Sequence, residues 1–256
     1  MLTADQTRVM NAVLAEEAAK REHLVVSISG AHAYGFPSPD SDLDLKAIHA
    51  APVKTLLGLG AAPSAAERLQ IIDGVEIDYS SNELQGVLKG ILQGNGNYLE
   101  RVLGQLQPMV SPALASLRPL VKATLSRRLH RHYQGFGRSQ WVEWQKGGGR
   151  SAKKLLYVLR TTLTGAHALA TGEVETDLTK LMQGAGFSAA KALVDQKRAG
   201  EKSELPENLT AEWRLKVNGA FERLDEALAR SQLPDVPTDA AVNDLEQWLI
   251  DFRLSK

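Results

Sequence analysis

The pattern of apolar and polar positions changes character once along the chain. Up to Ser80 it shows the two-residue alternation and short apolar runs of strands; beyond Ser80 it shows helical stretches punctuated by glycine and proline. At the start, Thr3 and Gln6 form a capping box, which predicts a helix over about Ala4 to Arg21. "LVVSIS" (Leu24–Ser29) is β-branched and apolar and predicts a buried strand ending at Gly30. In "SDLDLKAI" Asp42, Asp44 and Lys46 share one face, and Leu43, Leu45 and Ala47 share the other. That is the mark of a half-buried strand. Residues 51–68, rich in Ala, Gly and Pro, predict a loop or a short helix. "LQII-DG-VEIDYS" predicts a β-hairpin, because Asp73-Gly74 suits the positive φ values of a two-residue turn.

After Ser80, Ser81 or Asn82 is expected to cap a helix running to about Gln93. "GNGN" (Gly94–Asn97) breaks it, and a second helix is expected near Tyr98. From Ala113 onward nearly everything reads as helix, interrupted at Gly147–Gly149, Gly172, Gly184–Gly186, Pro206 and Leu233–Pro237. The expected fold class is α+β (α/β). A small domain over residues 1–110 carries the sheet, and residues 111–256 form an all-helical domain.

Composition narrows the class without fixing it. A chain of 256 residues with 43% apolar content can bury a sizeable core. The absence of cysteine excludes disulfides and thiolate metal sites, and agrees with a cytoplasmic location. The N-terminal stretch lacks the pattern of a signal peptide, and no uncharged run is long enough to span a bilayer, so no membrane role is expected. The zero net charge hides an asymmetry: −6 over residues 1–100, +11 over 101–200 and −5 over 201–256. The basic middle is either solvated helical surface or a wall facing an anionic partner, an NTP or RNA.

The chemistry concentrates in the first segment. Two carboxylates two residues apart on a strand lie about 6.5 Å apart along it, and they repel unless a cation sits between them. A hard divalent ion, Mg²⁺ or Mn²⁺, is the natural occupant. The hairpin supplies a third carboxylate, Glu76 or Asp78, which share a face. Three carboxylates around divalent metal suit in-line nucleotidyl or phosphoryl displacement. Gly30, ending a buried strand, allows backbone to approach a phosphate closely.

These residues resemble a known family. "SGAHAYGFPSPDSDLDLKAI" (Ser29–Ile48) is similar to the G-S-x-x-Y-G…S-D-x-D signature of the DNA-polymerase-β-type nucleotidyltransferase superfamily. "DYSSNELQGVLKGILQGNGNYLERVL" (Asp78–Leu103) resembles its RNA-ligase-associated, RNA-repair branch. The likeness extends more weakly into "KKLLYVLRTTLTGAHALATGEV" (Lys153–Val174). The resemblance implies a small mixed sheet with flanking helices, followed by a helical nucleotide- and substrate-binding domain. It implies that Asp42, Asp44 and Asp78 are catalytic and hold Mg²⁺ or Mn²⁺, with Asp78 rather than Glu76 as the third carboxylate. It places Gly30 and Ala31 at the triphosphate, with Tyr34, Gly35 and Ser41 in the same signature. Ala31 stands where the family has serine, so one hydroxyl is missing, and "GNGN" lacks the proline of the branch's G-N-P.

In the helical half, Lys153, Tyr157 and Arg160 fall on one helix face, with Lys154 beside them. Either Tyr157 packs in a core while the cations are solvated, or Lys153 or Lys154 neutralises phosphate with Tyr157 or Arg160 near the base. "RRLHRHYQGFGRSQWVEWQKGGGR" (Arg127–Arg150) interleaves cations with Tyr133, Phe136, Trp141 and Trp144, a pattern of helix packing or of base stacking. His130 and His132 point to different faces, His32 lies in the signature loop, and Lys197 and Arg198 are a charged helix end or a further phosphate contact. The expected function is transfer of NMP from an NTP to a hydroxyl, an RNA end being the favoured acceptor. The alternatives are a non-catalytic nucleotide- or RNA-binding protein and an antitoxin-like AMP-transferase acting on a protein.

Overall fold

The computed structural model describes residues 2–60, 65–200 and 204–256. Positions 61–64 of the expected 51–68 loop lie outside the described residues. The chain divides into two compact units. One comprises Met1–His32, Asp42–Leu125 and Pro237–Lys256, and the other Ala33–Ser41 and Ser126–Val236. Both are discontinuous in sequence.

The first unit contains α1 (Ala4–Ala18), β1 (Glu22–Ile28), the start of a short helix α2 (Gly30–Ala33), β2 (Leu43–Ala50), α3 (Val53–Leu57), β3 (Ala65–Ile72), β4 (Val75–Glu83), α4 (Leu84–Leu92), α5 (Gly96–Leu103), β5 (Met109–Val110) and α6 (Ala113–Ala123). The second contains α7 (Leu129–Lys146), α8 (Ala152–Thr171), α9 (Leu178–Gly184), a 3₁₀ turn at Ser188–Ala190, α10 (Lys191–Arg198) and α11 (Glu207–Arg230). The chain then returns to the first unit with α12 (Asp239–Leu254).

The sheet has the order β3-β4-β2-β1-β5. It is mixed: β2 and β4 run parallel, and the other neighbours are antiparallel. Alternation then sorts the side chains. Val26, Leu43, Leu45, Ala47, Ile77 and Tyr79 form one core with Val9, Met10, Val13 and Leu14 of α1. The opposite face carries Asp44, Lys46 and Asp78. Toward the far end of β2 that face is closed by α5. There Arg101 donates to Asn82 Oδ1 at 2.6 Å and to the Ala47 carbonyl at 3.2 Å, and Ser27 Oγ donates to the Arg101 carbonyl at 2.8 Å.

The predicted hairpin is present, with Asp73 and Gly74 at φ 49° and 79°. Its first strand starts earlier than expected, at Ala65. Its second runs past Ser80, so neither Ser81 nor Asn82 caps a helix. Both side chains are engaged in the strand instead: Ser81 Oγ lies 2.8 Å from His49 Nδ1, and Asn82 binds Arg101. The cap of α4 is Glu83, which accepts from the Gln85 N–H at 2.7 Å. Glu83 also pairs with Arg253 of α12. Trp248 of that helix donates to Ser116 Oγ at 2.9 Å, which ties α12 to α6.

Each unit buries one histidine in a way that matters for pH. In the first, His23 Nε2 lies 2.6 Å from the Tyr79 hydroxyl, to which Arg21 also donates. Burial, with the charges of Arg21 and His49, holds His23 down at about 4. Burial likewise pushes the Tyr79 hydroxyl above its ordinary value. In the second unit, burial and the nearby Arg160 cation hold His132 at about 4.

The second unit is built around α8, most of whose side chains are buried, including Leu155, Leu156, Val158 and Leu159. Gly165 lets Tyr133 of α7 lie against it; a Cβ there would sit 2.5 Å from Tyr133 Cβ and 2.6 Å from the ring's Cγ. Gly172 ends the helix in the left-handed conformation that glycine adopts without strain, at φ 71°. Among the described residues, no helix is long and apolar enough to cross a membrane.

Candidate active site

In the first unit the parallel pairing of β2 and β4 sets Asp44 directly opposite Asp78. Glu76 falls opposite Ile71 on β3, below the end of the β2–β4 ladder. The register therefore brings Asp78, and not Glu76, to the carboxylate of Asp44. Asp42 lies just before β2, two residues from Asp44 and half-buried like it. Between the paired carboxylates stands Lys46, its Nζ 2.8 Å from Asp78 Oδ2 and 3.9 Å from Asp44 Oδ1.

The backbone beneath Asp44 is shaped for it. Gly30 has φ +63°, and a Cβ on it would lie 1.9 Å from Asp44 Oδ2. The Ser29 N–H donates to the Asp44 carbonyl at 2.9 Å, fixing the strand end against the turn. Ala31 is 5% exposed, so the position where the resemblance expects serine carries a buried methyl group. His32 turns its Nε2 toward Gln6 Nε2, 3.4 Å away.

The donor set fits a hard divalent cation. It consists of carboxylate oxygens on adjacent strands, with an ammonium group already standing where positive charge is needed. Among the described residues, no three acidic or histidine side chains converge as a ready-made cluster. Asp44 and Asp78 are the pair in register, and Asp42 lies outside it.

In the second unit the rest of the signature is packed rather than open. Tyr34 is 6% exposed; the Arg160 guanidinium lies 3.8 Å over its ring, and Tyr157 meets it edge-on at 5.5 Å. Gly35 has φ +84°, and a Cβ there would lie 2.0 Å from Asp177 Oδ1. Ser41 and Ser38 are buried and share a hydrogen bond of 3.0 Å, and Lys197 Nζ donates to them at 3.3 and 2.6 Å. Lys197 is 0% exposed. Arg198 donates to the Gly35 carbonyl at 2.6 Å. The end of α10 thus clamps the 34–41 segment. On α8, Arg160 is buried, Lys153 and Tyr157 are half-buried and Lys154 is exposed. Of the four aromatics in Arg127–Arg150, Tyr133 and Trp144 are core residues, and Trp141 stacks on Trp144 with ring centres 4.8 Å apart.

With this geometry in hand, comparison with known proteins decides the family. Residues 6–251 match the family described as the RNA repair pathway DNA polymerase beta family, RlaP. The chain belongs to that family. It is also similar to an uncharacterized protein of Methanocaldococcus jannaschii, MJ0002, at 25% identity over 229 residues, covering 85% of this chain and 89% of that protein. Among solved structures, a nucleotidyltransferase-like protein from Exiguobacterium sibiricum aligns with 97% of this chain and 80% of its own, at 9% identity and a TM-score of 0.35.

Two lysines, one in each unit, have roles that were not legible from the family motifs. Lys46 shares the aspartate face by simple alternation, but only the parallel register shows that its amine reaches both strands. Lys197, beside Arg198, reads as a charged helix end or a further phosphate contact; its burial against two serines 156 or more residues earlier depends on tertiary structure. Conversely, Glu83 of the branch motif caps α4 and pairs with Arg253, so its visible work is structural.

Proposed function

We propose that the protein is a Mg²⁺- or Mn²⁺-dependent nucleotidyltransferase. It moves NMP from an NTP to a hydroxyl of an RNA end, releases pyrophosphate, and works in the cytoplasm. The observation that carries this reading is the register of Asp44 against Asp78, with Gly30 leaving room beneath Asp44. Family membership supports the reaction class.

Asp44 and Asp78, with Asp42, would hold the divalent ion, which when bound neutralises phosphate charge and makes the acceptor hydroxyl more acidic. Asp78, the more exposed of the paired carboxylates at 46% of its side chain against 25%, takes the proton of the attacking hydroxyl. Lys46 balances the two carboxylates when no other cation does so. The turn at Gly30 and Ala31 offers backbone N–H groups to the triphosphate, replacing the hydroxyl that Ala31 lacks. Tyr34, Gly35 and Ser41 shape the loop that follows, and Lys153, Lys154 and Tyr157 contribute phosphate and base contacts. Residues 1–110 carry the catalytic part and 111–256 the nucleotide- and substrate-binding part, with RNA contacts in the basic 101–200 segment.

The test is pyrophosphate release from each NTP with Mg²⁺ or Mn²⁺, with and without tRNA or nicked RNA. RNA-stimulated release that is lost in Asp44→Asn and Asp78→Asn is the expected result. No turnover of any NTP under any of these conditions overturns it.

A further inference from the structure

The aspartate face of the sheet carries something that metal binding and phosphate chemistry do not use. β3 is the edge strand beside β4. Its register places Leu69 opposite Asp78 and Ile71 opposite Glu76, on the same face as those carboxylates. Both are open to solvent, at 74% and 68%. The alternate residue Arg68 points the other way, to Glu16 and Glu17 of α1. A hydrophobic pair on an edge strand invites unwanted association, and proteins usually blunt such edges with charge. Here Arg68 turns to α1 and Ile72 packs on the core beside it, while Leu69 and Ile71, with Glu67 on the same face, point outward next to the candidate site.

We propose that Leu69 and Ile71 seat the terminal nucleoside of the RNA acceptor; this rests on the RNA-end reading above. Strands lie about 5 Å apart, so a group lying on Leu69 has its hydroxyl within reach of Asp78. Charge selects which part of the acceptor fits. The surface around the pair carries Asp44, Glu67, Glu76 and Asp78 against one lysine, Lys46, so the phosphates of an RNA strand are repelled there. The base and ribose carbons of the end carrying a free hydroxyl are the uncharged part of the strand. They gain from covering exposed leucine and isoleucine. A second copy of the chain laid on the same face would bring Glu76 and Asp78 against their own equivalents, which disfavours self-association.

The experiment uses the full chain and fluorescein-labelled single-stranded RNA with a free 3′ hydroxyl. One RNA ends in a complete nucleoside, and a second ends in an abasic ribose. Binding is followed by anisotropy, together with acceptor KM, NTP-induced thermal shift and mass by light scattering. Leu69→Ser/Ile71→Ser should weaken binding of the complete RNA and raise acceptor KM by roughly 30-fold. The NTP shift should be unchanged. Wild type should prefer the complete end over the abasic one by a similar factor, and the double-serine variant should not discriminate. Leu69→Met/Ile71→Val should stay within about twofold of wild type.

The proposal falls if the serine variant binds RNA as wild type does, or if wild type ignores the missing base. It also falls if the variant changes oligomeric mass instead. Transfer to RNA that the serine pair leaves untouched defeats the seat and spares the activity. Base-dependent RNA binding through these residues with no transfer defeats the activity and spares the seat.

Discussion

Two glycines five residues apart solve the same steric problem for opposite ends. In the first unit Gly30, at φ +63°, leaves room for the carboxylate of Asp44; in the second Gly35, at φ +84°, leaves room for that of Asp177. Asp177 is locked in place. It caps α9, accepting from the Thr179 N–H at 2.8 Å and the Thr179 hydroxyl at 2.6 Å. Asp44 is half-buried and meets a lysine at 3.9 Å on a partly exposed sheet face. The lysines repeat the contrast: Lys46 keeps 20% of its side chain exposed, whereas Lys197 has none. In one unit the charge lies on a partly open sheet face; in the other it is consumed in fixing a loop.

The largest effect that sharpens the contrast is on Asp44. Asp44→Asn keeps the shape and removes the charge, so NMP transfer should fall by at least about a thousandfold. Melting temperature should change little, because the contact with Lys46 is long, at 3.9 Å, and partly exposed. Asp177→Asn should do the reverse, costing stability and leaving the catalytic rate nearly intact. Steady-state pyrophosphate release and a thermal melt on the same samples check both. A rate loss shared equally by the two variants breaks the division of labour.

The buried histidines come next. His23 in one unit and His132 in the other both sit at about 4 when folded, below the value of about 6.5 in an unfolded chain. Above pH 6.5 both are neutral in either state, and the full stability is present. As the pH falls from about 6.5 toward about 4 the unfolded chain takes up protons that the folded one refuses, so stability drops by at most about 3 kcal/mol per histidine and then levels. Three of the four tryptophans, Trp141, Trp144 and Trp213, lie in the second unit, so their fluorescence follows that unit's unfolding. Urea melts by fluorescence should lose this slope in His132→Phe and keep it in His23→Phe. An unaltered slope in His132→Phe contradicts the assignment.

The glycines themselves are third. Gly35→Ala places a Cβ at positive φ and against a fixed cap, and should cost roughly 2–3 kcal/mol. Gly30→Ala meets a carboxylate that can swing aside, and should cost roughly 1–2 kcal/mol while lowering transfer sharply. Chemical denaturation of both, beside wild type, decides the order; a larger stability loss at Gly30 reverses the comparison.

Much of the first unit was legible in advance because its signals are local. The alternation around Asp42 and Asp44, the Asp73-Gly74 turn and the Thr3 cap are each written within a few residues. What escaped was written across the chain. Whether Asp78 or Glu76 faces Asp44 depends on parallel pairing, which bottom-up alternation leaves open and the family resemblance had to decide. The extension of β4 through Ser81 and Asn82 depends on His49 and Arg101 arriving from elsewhere. The helical character of most of the second unit was legible, but which of its polar and aromatic side chains are buried was not. Tyr34, Ser41, Arg160 and Lys197 are buried against each other's neighbours, and burial of charge is invisible to a helical-face count.

The smallest effect is the most discriminating. Lys46→Met removes the ammonium between Asp44 and Asp78, but its short contact is to Asp78, which keeps 46% of its side chain exposed, so the stability cost should stay at about 1 kcal/mol. Lys197→Met strips the donor from two buried serine hydroxyls and should cost about 1–3 kcal/mol. The signs separate further in Mn²⁺ titration calorimetry. Removing Lys46 removes the competitor for the two carboxylates, so Mn²⁺ should bind several-fold more tightly, while Lys197→Met should leave that affinity unchanged. If Lys46→Met weakens Mn²⁺ binding, then its ammonium organises the site rather than keeping the place of a metal ion, and the contrast between an exchangeable and a structural lysine is lost.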